Sequence, residues 1–431
     1  MSVSQHLIHT LSISELQKAL ELGDVSPESV TRAFLERIQE KNPEIGAFVS
    51  WNAETALQAA RTSVPGPLHG IPYAVKDVID TADYPTEYGS PIYKGHRPLL
   101  DAACVNMARQ AGAISLGKVA TGEFATQTPS AARNPLRPTH PPGGSSSGSA
   151  AAVGSGMAPF AFSTQTTGSI VRPAIYCGVA GFKPTYGFFP AAGLKALSPL
   201  QDTIGLIART VDDVAQATMG LHGQPTIPPT LGSFRIAVVH SRQWDYLRPG
   251  MAQAIDRYAG RLAEAGHRVE VCRMSEMLEI ATVMQPRLFM YEARRTLANE
   301  LRDSAEQLSP RLQHRMTEAL TVSFDEYMAI RQQLVVATSA LHRLFDQYDL
   351  VLYPAAAGEA DAGLESAGDA RFGALWSLLH APSLSFPIDE GPTGLPLGIQ
   401  FIAKPTKDTQ LLGMARSLAQ LNPPWQDRSA D

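Results

Sequence analysis

Cysteine is scarce in this chain, and the few cysteines form no pattern. The 431 residues include three, Cys104, Cys177 and Cys272, which lie far apart and form no C-x-x-C pair. An odd number of widely spaced cysteines indicates neither a disulfide framework nor a cysteine-ligated zinc site. We therefore expect a protein of the reducing cytoplasm, without structural disulfides or a cysteine-bound zinc.

Positive charge and long apolar runs are lacking as well. The net charge is −5 at pH 7, so the chain offers no positive field to a nucleic acid. No uninterrupted apolar run approaches the roughly 18 residues of a membrane-spanning helix, and the N-terminus lacks a signal-peptide pattern. These absences favour chemistry on a small molecule, without a nucleic acid or a membrane as partner.

Short apolar runs alternate with helical stretches through much of the chain. Runs such as "GIPYAVKDVI", "ISLGKVA" and "FRIAVVHS" predict strands, whereas Ser26 followed by Pro27 predicts the start of a helix. This alternation is typical of an α/β fold with a largely buried sheet. We predict one domain made of four parts: an N-terminal helical layer (1–65), a core (66–220), a variable, mostly helical region (221–346) and a C-terminal return to the sheet (347–431).

A segment rich in glycine and serine, "HPPGGSSSGSAAAVGSG", occupies residues 140–156. Its seventeen positions hold five serines and five glycines. A phosphate-binding loop is one interpretation, but the lysine of a G-x-x-x-x-G-K-[ST] motif is missing. A flexible linker is another. The segment runs directly into an alanine-rich, helix-compatible stretch, which favours a third interpretation, a wall of an active site.

Three residues around this segment suit nucleophilic catalysis. Lys76 ends an apolar strand, Ser145 lies within the glycine-serine segment, and Ser169 follows in "TQTTGSIVRPA". A lysine at such a position is often only a salt-bridged or partly exposed side chain. Together, however, a lysine and two serines are the components of a hydrolase that needs no histidine.

The motifs around these residues resemble those of the amidase signature family. "LHGIPYAVKD" is similar to the lysine motif of the family, "ARNPLRPTHPPGGSSSGSAAA" to its Gly/Ser-rich hallmark, and "TQTTGSIVRPAIYCGVAGFKPTYG" to its nucleophile segment. "LSPLQDTIGLIARTVDDVA" and "GLPLGIQFIA" also resemble segments of this family. The resemblance implies a mixed β-sheet covered by helices on both faces, with a helical insertion or cap.

The resemblance also implies roles for individual residues. Ser169 would be the nucleophile, Ser145 a bridging serine held by a cis peptide bond, and Lys76 the base. The backbone amides of Thr166, Thr167, Gly168 and Ser169 would line an oxyanion hole. A lysine of ordinary pKa, about 10.4, is protonated at pH 7 and cannot accept a proton, so we expect burial to lower the pKa of Lys76.

The nucleophile segment departs from the pattern that many members share, T-D-x-G-G-S-[IV]-R. Gln165 replaces the aspartate, Thr167 the first glycine and Val171 the arginine, while Arg172 stands one place later. Ser146, Gln165 and Arg172 are candidates for supporting the catalytic groups or for contacting substrate. We expect Arg172 to point away from the pocket, which would favour neutral substrates.

The sequence and the resemblance therefore predict an amidase that uses no metal and no cofactor and that cleaves a carboxamide, or a carbamate or ester, through an acyl-enzyme. One alternative is the glutamine-hydrolysing subunit of a tRNA-dependent amidotransferase, which would require partner subunits. Another is an inactive scaffold that keeps the fold. The predicted partner is a small-molecule amide alone, and a homodimer is compatible with the sequence.

Overall fold

One large mixed sheet runs through the protein. The structure, a computed structural model, describes residues 5–224 and 226–422. Its strands are β1 (Phe48–Trp51), β2 (Pro72–Lys76), β3 (Ile114–Val119), β4 (Phe160–Gln165), β5 (Ala180–Lys183), β6 (Thr203–Ala208), β7 (Arg235–His240), β8 (Arg268–Arg273), β9 (Leu350–Pro354), β10 (Ser383–Glu390) and β11 (Pro396–Ile402). The strand order is β1-β3-β2-β4-β6-β5-β10-β11-β9-β7-β8.

Helices cover this sheet. They are α1 (Ile13–Glu21), α2 (Pro27–Ile45), α3 (Ala53–Arg61), α4 (Ala103–Gln110), α5 (Ser147–Gly154), α6 (Val171–Tyr176), α7 (Val211–Leu221), α8 (Met251–Glu264), α9 (Glu276–Thr296), α10 (Ala298–Asp303), α11 (Pro310–Glu318), α12 (Phe324–Gln347), α13 (Arg371–Leu378) and α14 (Asp408–Ala419). The predicted fold class, a mixed sheet covered by helices, is confirmed.

Parallel and antiparallel pairs alternate in blocks along the sheet. β3, β2 and β4 are parallel neighbours, and β9, β7 and β8 form a second parallel block. The strands between them, β6, β5, β10 and β11, pair antiparallel. The first parallel block carries the candidate site, because the ends of parallel strands meet at one edge.

Local sequence signals set the helix boundaries near the N-terminus. The Ser26 hydroxyl accepts a hydrogen bond from the Ser29 backbone N–H, and Pro27 occupies the first turn of α2. The helix ends at Gly46, whose φ of 63° is in the left-handed region. The predicted start of this helix at Ser26 is confirmed.

No helix within residues 5–224 and 226–422 combines the length and the apolar character needed to cross a membrane.

Candidate active site

The parallel pairing of β2 and β4 sets the frame of the candidate site. Val75 lies opposite Phe162, so the last residues of the two strands, Lys76 and Gln165, lie at the same edge of the sheet. Ser145 comes shortly before α5, which packs against both strands. Lys76 thereby makes hydrogen bonds to Ser145 and Thr164, which lie 69 and 88 positions further along the sequence.

The glycine-serine segment is a buried wall, and the linker interpretation is wrong. Residues 141–153 are all buried. Gly143 and Gly144 have φ values of 84° and 62°, a backbone conformation that other residues rarely adopt. A Cβ at Gly148 would lie 2.2 Å from the Ala120 nitrogen, so the backbone of α5 lies directly against the chain after β3.

Lys76 is completely buried among hydroxyl groups. Its Nζ lies 2.7 Å from Ser145 Oγ and 2.7 Å from Thr164 Oγ1. Burial lowers the pKa of Lys76 to about 7, and the negative charge of Asp202 acts in the opposite direction. A large fraction of Lys76 is therefore neutral near pH 7, and the neutral amine has a lone pair that can accept a proton.

Two groups at the site were not singled out in the sequence. Thr164 is the second hydroxyl on Lys76. The buried Asp202 accepts hydrogen bonds from the Thr166 hydroxyl at 2.6 Å and from two backbone amides, and burial raises the pKa of its carboxyl to about 6. Thr164 and Asp202 both lie inside motifs that resemble those of the amidase signature family. A polar residue at the boundary of a strand is the signal that could have identified them.

Ser145 and Ser169 are neighbours, but their contact differs from the one expected. The Ser145 backbone N–H donates a hydrogen bond of 3.2 Å to Ser169 Oγ. The cis peptide bond that the resemblance implies at Ser145 is absent, as it is from all of residues 5–224 and 226–422. The Ser145 amide thus faces Ser169, while its hydroxyl faces Lys76.

The loop between β4 and α6 forms one side of the cavity that contains both serines. Thr166 and Thr167 line this cavity together with Ser145 and Ser169. In the described part of the chain, the backbone N–H groups of residues 167–169 donate no hydrogen bond to another protein group. A Cβ at Gly168 would lie 2.9 Å from the Ala370 oxygen, so a glycine here allows close approach of the segment before α13.

Gln165 and Ser146 hold the backbone of the site in place. Gln165 Oε1 accepts hydrogen bonds from the backbone N–H groups of Ile170 (2.8 Å) and Val171 (3.1 Å), and Nε2 donates to Ser377. The Ser146 hydroxyl donates to the backbone oxygen of Thr164. Both side chains therefore support the loop around the nucleophile through hydrogen bonds to the protein.

Arg172 faces the cavity, and the expectation that it points away is wrong. The side chain is 2% exposed and lines the same cavity as Ser145 and Ser169. Consecutive residues of a helix point about 100° apart. Because Val171 belongs to an apolar cluster with Ile175, its neighbour Arg172 is directed to another side of α6.

Comparison with known proteins identifies the family. The sequence profile of the Amidase family matches residues 29–412. This chain belongs to the amidase signature family. It is similar to the A subunit of the glutamyl-tRNA(Gln) amidotransferase of Symbiobacterium thermophilum, with 30% identity over 470 residues that cover 94% of this chain and 95% of the relative.

A second relative matches this chain over a shorter region. The A subunit of the glutamyl-tRNA(Gln) amidotransferase of Chloroflexus aurantiacus is 43% identical over 222 residues. The match covers 48% of this chain and 46% of the relative, so it spans about half of the relative's length.

Solved structures of amidases share the fold. A crystal structure of an amidase has a TM-score of 0.86 and 27% identity, covering 96% of this chain and 100% of that chain. A peptide amidase from Stenotrophomonas maltophilia has a TM-score of 0.81 and 27% identity, covering 97% and 98%. The protein is therefore an amidase-family hydrolase.

The names of the relatives overturn the prediction about partners. The sequence predicted a small-molecule amide as the only partner apart from a second copy of the chain. Relatives that match 94% and 48% of this chain are subunits of amidotransferases, that is, parts of larger enzymes. The prediction of a small-molecule partner alone is therefore wrong.

Proposed function

We propose that this amidase hydrolyses a carboxamide through an acyl-enzyme on Ser169. The observation that carries the proposal is the position of Lys76, a buried lysine with Nζ 2.7 Å from Ser145 Oγ, where Ser145 and Ser169 line one cavity. A buried amine of lowered pKa in hydrogen-bond contact with a serine hydroxyl is suited to accept a proton.

The proposed reaction begins with two proton transfers. Neutral Lys76 accepts the Ser145 hydroxyl proton, Ser145 accepts the proton of Ser169, and Ser169 Oγ attacks the amide carbonyl carbon. The tetrahedral intermediate collapses with cleavage of the C–N bond, and the relayed proton returns to the leaving nitrogen. Water then attacks the ester carbonyl, which releases the acid and restores the Ser169 hydroxyl.

The loop that precedes Ser169 is proposed to stabilise the negative oxygen of the intermediate. Candidate donors are the backbone N–H groups of Thr166, Thr167, Gly168 and Ser169. The groups of residues 167–169 have no acceptor within the described chain, which supports this role. Removing one hydrogen-bond donor of an oxyanion hole typically costs about 3 kcal/mol of transition-state stabilisation.

We propose, as the first candidate for its biological role, a glutamine-hydrolysing subunit that works with partner subunits. Its support is the similarity to an amidotransferase component over 94% of this chain. The second candidate is an amidase for another small amide. The departures at Gln165 and Val171 favour this second candidate. Gln165 stands where many members have an aspartate, and its side chain binds backbone N–H groups of the protein. The three free thiols in either case suit the cytoplasm.

Ammonia release from a panel of amides tests the proposed activity and separates the candidates. We expect the protein, alone or together with the subunits bound to it in its source organism, to hydrolyse at least one amide, and Ser169→Ala to abolish that hydrolysis while the melting temperature is retained. Native mass spectrometry of the protein isolated from its source organism reports bound subunits. Glutamine hydrolysis that requires those subunits supports the first candidate; efficient hydrolysis of other amides by the chain alone supports the second.

A further inference from the structure

The cavity around Ser169 carries positive charge without a matching negative charge. Arg172 and Arg315 line it together with Ser145, Ser169 and Phe289. Among the described residues that line it, none is an aspartate or a glutamate. The two cations come from distant parts of the sequence, Arg172 from α6 and Arg315 from α11 in the variable region.

Arg172 has no partner within the described chain. Its Nε and Nη1 atoms are buried and make no hydrogen bond to residues 5–224 or 226–422. The carboxylate whose charge acts on it belongs to Asp369, which instead binds Arg371 at 2.5 Å. A buried guanidinium without hydrogen-bond partners destabilises the protein. A ligand that supplies the missing acceptors relieves this penalty and is therefore bound more tightly.

Arg315 lies on the wall of the cavity. Like Arg172, it forms no ion pair within residues 5–224 and 226–422. Its guanidinium lies 5.0 Å from the centre of the Phe289 ring, a cation–π contact that holds it at the cavity. Burial lowers its pKa, and the nearby charges of Glu318 and Arg311 act in opposite directions. An arginine retained at a half-buried position without an acidic partner is suited to bind an anion.

We propose that Arg172 and Arg315 bind a carboxylate at the non-reacting end of the amide substrate. This inference rests on the proposed function in placing the reacting amide at Ser169. The substrate class is an amide of a dicarboxylic acid, with one end as carboxamide and the other as carboxylate. The expected preference for neutral substrates is thereby replaced, because Arg172 faces the cavity.

Among the described residues that line the cavity, none offers a carboxylate to an ammonium group. Four ligands with the same five-carbon backbone separate these charges: pentanamide is neutral, glutaramate is an anion, 5-aminopentanamide is a cation, and glutamine is a zwitterion. We expect glutaramate to bind most tightly, and glutamine no more tightly than glutaramate, since its additional ammonium finds no carboxylate on the cavity wall.

Calorimetric titration of the Ser169→Ala variant measures these affinities without turnover. We expect glutaramate to bind at least tenfold more tightly than pentanamide. In the Ser169→Ala background, Arg172→Gln and Arg315→Gln should each reduce that ratio at least fivefold. Arg343→Gln is the control, an exposed arginine on α12 that does not line the cavity, and it should leave the ratio unchanged.

A ratio below tenfold, including failure of both ligands to bind, would overturn the inference, as would an equal loss in Arg343→Gln. If Arg172→Gln does not fold, Arg172→Lys and Arg315→Gln decide the question: the lysine, which lacks the planar fork, should weaken glutaramate binding but not pentanamide binding. Failure of the proposed function looks different. In that case the wild-type protein binds glutaramate with the expected preference and hydrolyses no amide, whether or not the subunits isolated with it are present.

Discussion

At the scale of residues, burial alone does not identify the base. Lys76, Lys118 and Lys183 are each fully buried, and burial lowers their pKa values to about 7, 8 and 7. Lys118 donates to a threonine and a backbone oxygen, and Lys183 donates to a backbone oxygen. Within the described chain, Lys76 differs by its contact with Ser145. The sequence could predict Lys76 only through its motif, because the contact depends on strand pairing.

The lowered pKa of Lys76 predicts a pH dependence of catalysis. The amine must be neutral to accept a proton, so kcat/KM should rise with pH through about 7 and fall about tenfold per unit below it. Lys76→Ala should retain less than about a tenth of the wild-type kcat/KM, a loss above ~1.4 kcal/mol. Steady-state kinetics between pH 5 and 9 measure both effects, and greater residual activity would contradict the assignment.

Asp202 provides a control for the origin of this pH profile. Its negative charge raises the pKa of Lys76, against the effect of burial. In Asp202→Asn, which keeps the size of the side chain, the inflection of kcat/KM should therefore move to lower pH. An inflection that disappears would assign the titration to the Asp202 carboxyl, whose pKa burial raises to about 6.

The same shift predicts how Lys76 affects stability. Its folded pKa of about 7 lies below the ordinary pKa of 10.5, so the unfolded state binds the proton more tightly and folding becomes less favourable as pH falls from 10.5 toward 7. Compared with Lys76→Met, the free energy of unfolding of the wild type should rise by about 1.4 kcal/mol per pH unit between 7 and 10. Denaturant unfolding at pH 7, 8 and 9 tests this, and a constant difference would contradict it.

At the scale of elements, apolar runs predict several of the strands that build the sheet. β2, β3 and β7 lie within the runs "GIPYAVKDVI", "ISLGKVA" and "FRIAVVHS". β8 was missed because its residues, "RVEVCR", lie in a helical region and are mostly exposed or half-buried at the sheet edge. β1, β5 and β6 were missed as well; β1 and β5 are only four residues long.

Because α5 packs closely against the chain after β3, we predict that Gly148 cannot be replaced by a larger residue without loss of stability. In Gly148→Ala the new methyl would lie 2.2 Å from backbone, and such overpacking typically costs about 1–3 kcal/mol. Gly260→Ala in α8 is the matched control, because a Cβ there meets nothing within 4 Å. It should stabilise the protein by ~0.5–1 kcal/mol. Equal unfolding free energies of the two variants would contradict the packing described here.

At the scale of the whole molecule, one sheet joins all four predicted segments. β1 belongs to residues 1–65, β2–β6 to 66–220, β7 and β8 to 221–346, and β9–β11 to 347–431. We propose on this basis that the segments form a single amidase domain. The variable region also contributes Arg315 and Phe289 to the cavity. Their place there could not be predicted, because it depends on how α9 and α11 pack on a distant loop.

The proposed mechanism depends above all on acylation of Ser169. Treatment of the wild-type protein with a serine-directed fluorophosphonate, followed by peptide mass spectrometry, identifies the reactive serine. We expect one adduct, on the peptide that contains Ser169, with much slower labelling in Lys76→Ala, which lacks the base. An adduct on Ser145, or labelling of Ser169 at an unchanged rate in Lys76→Ala, would show that the mechanism is wrong.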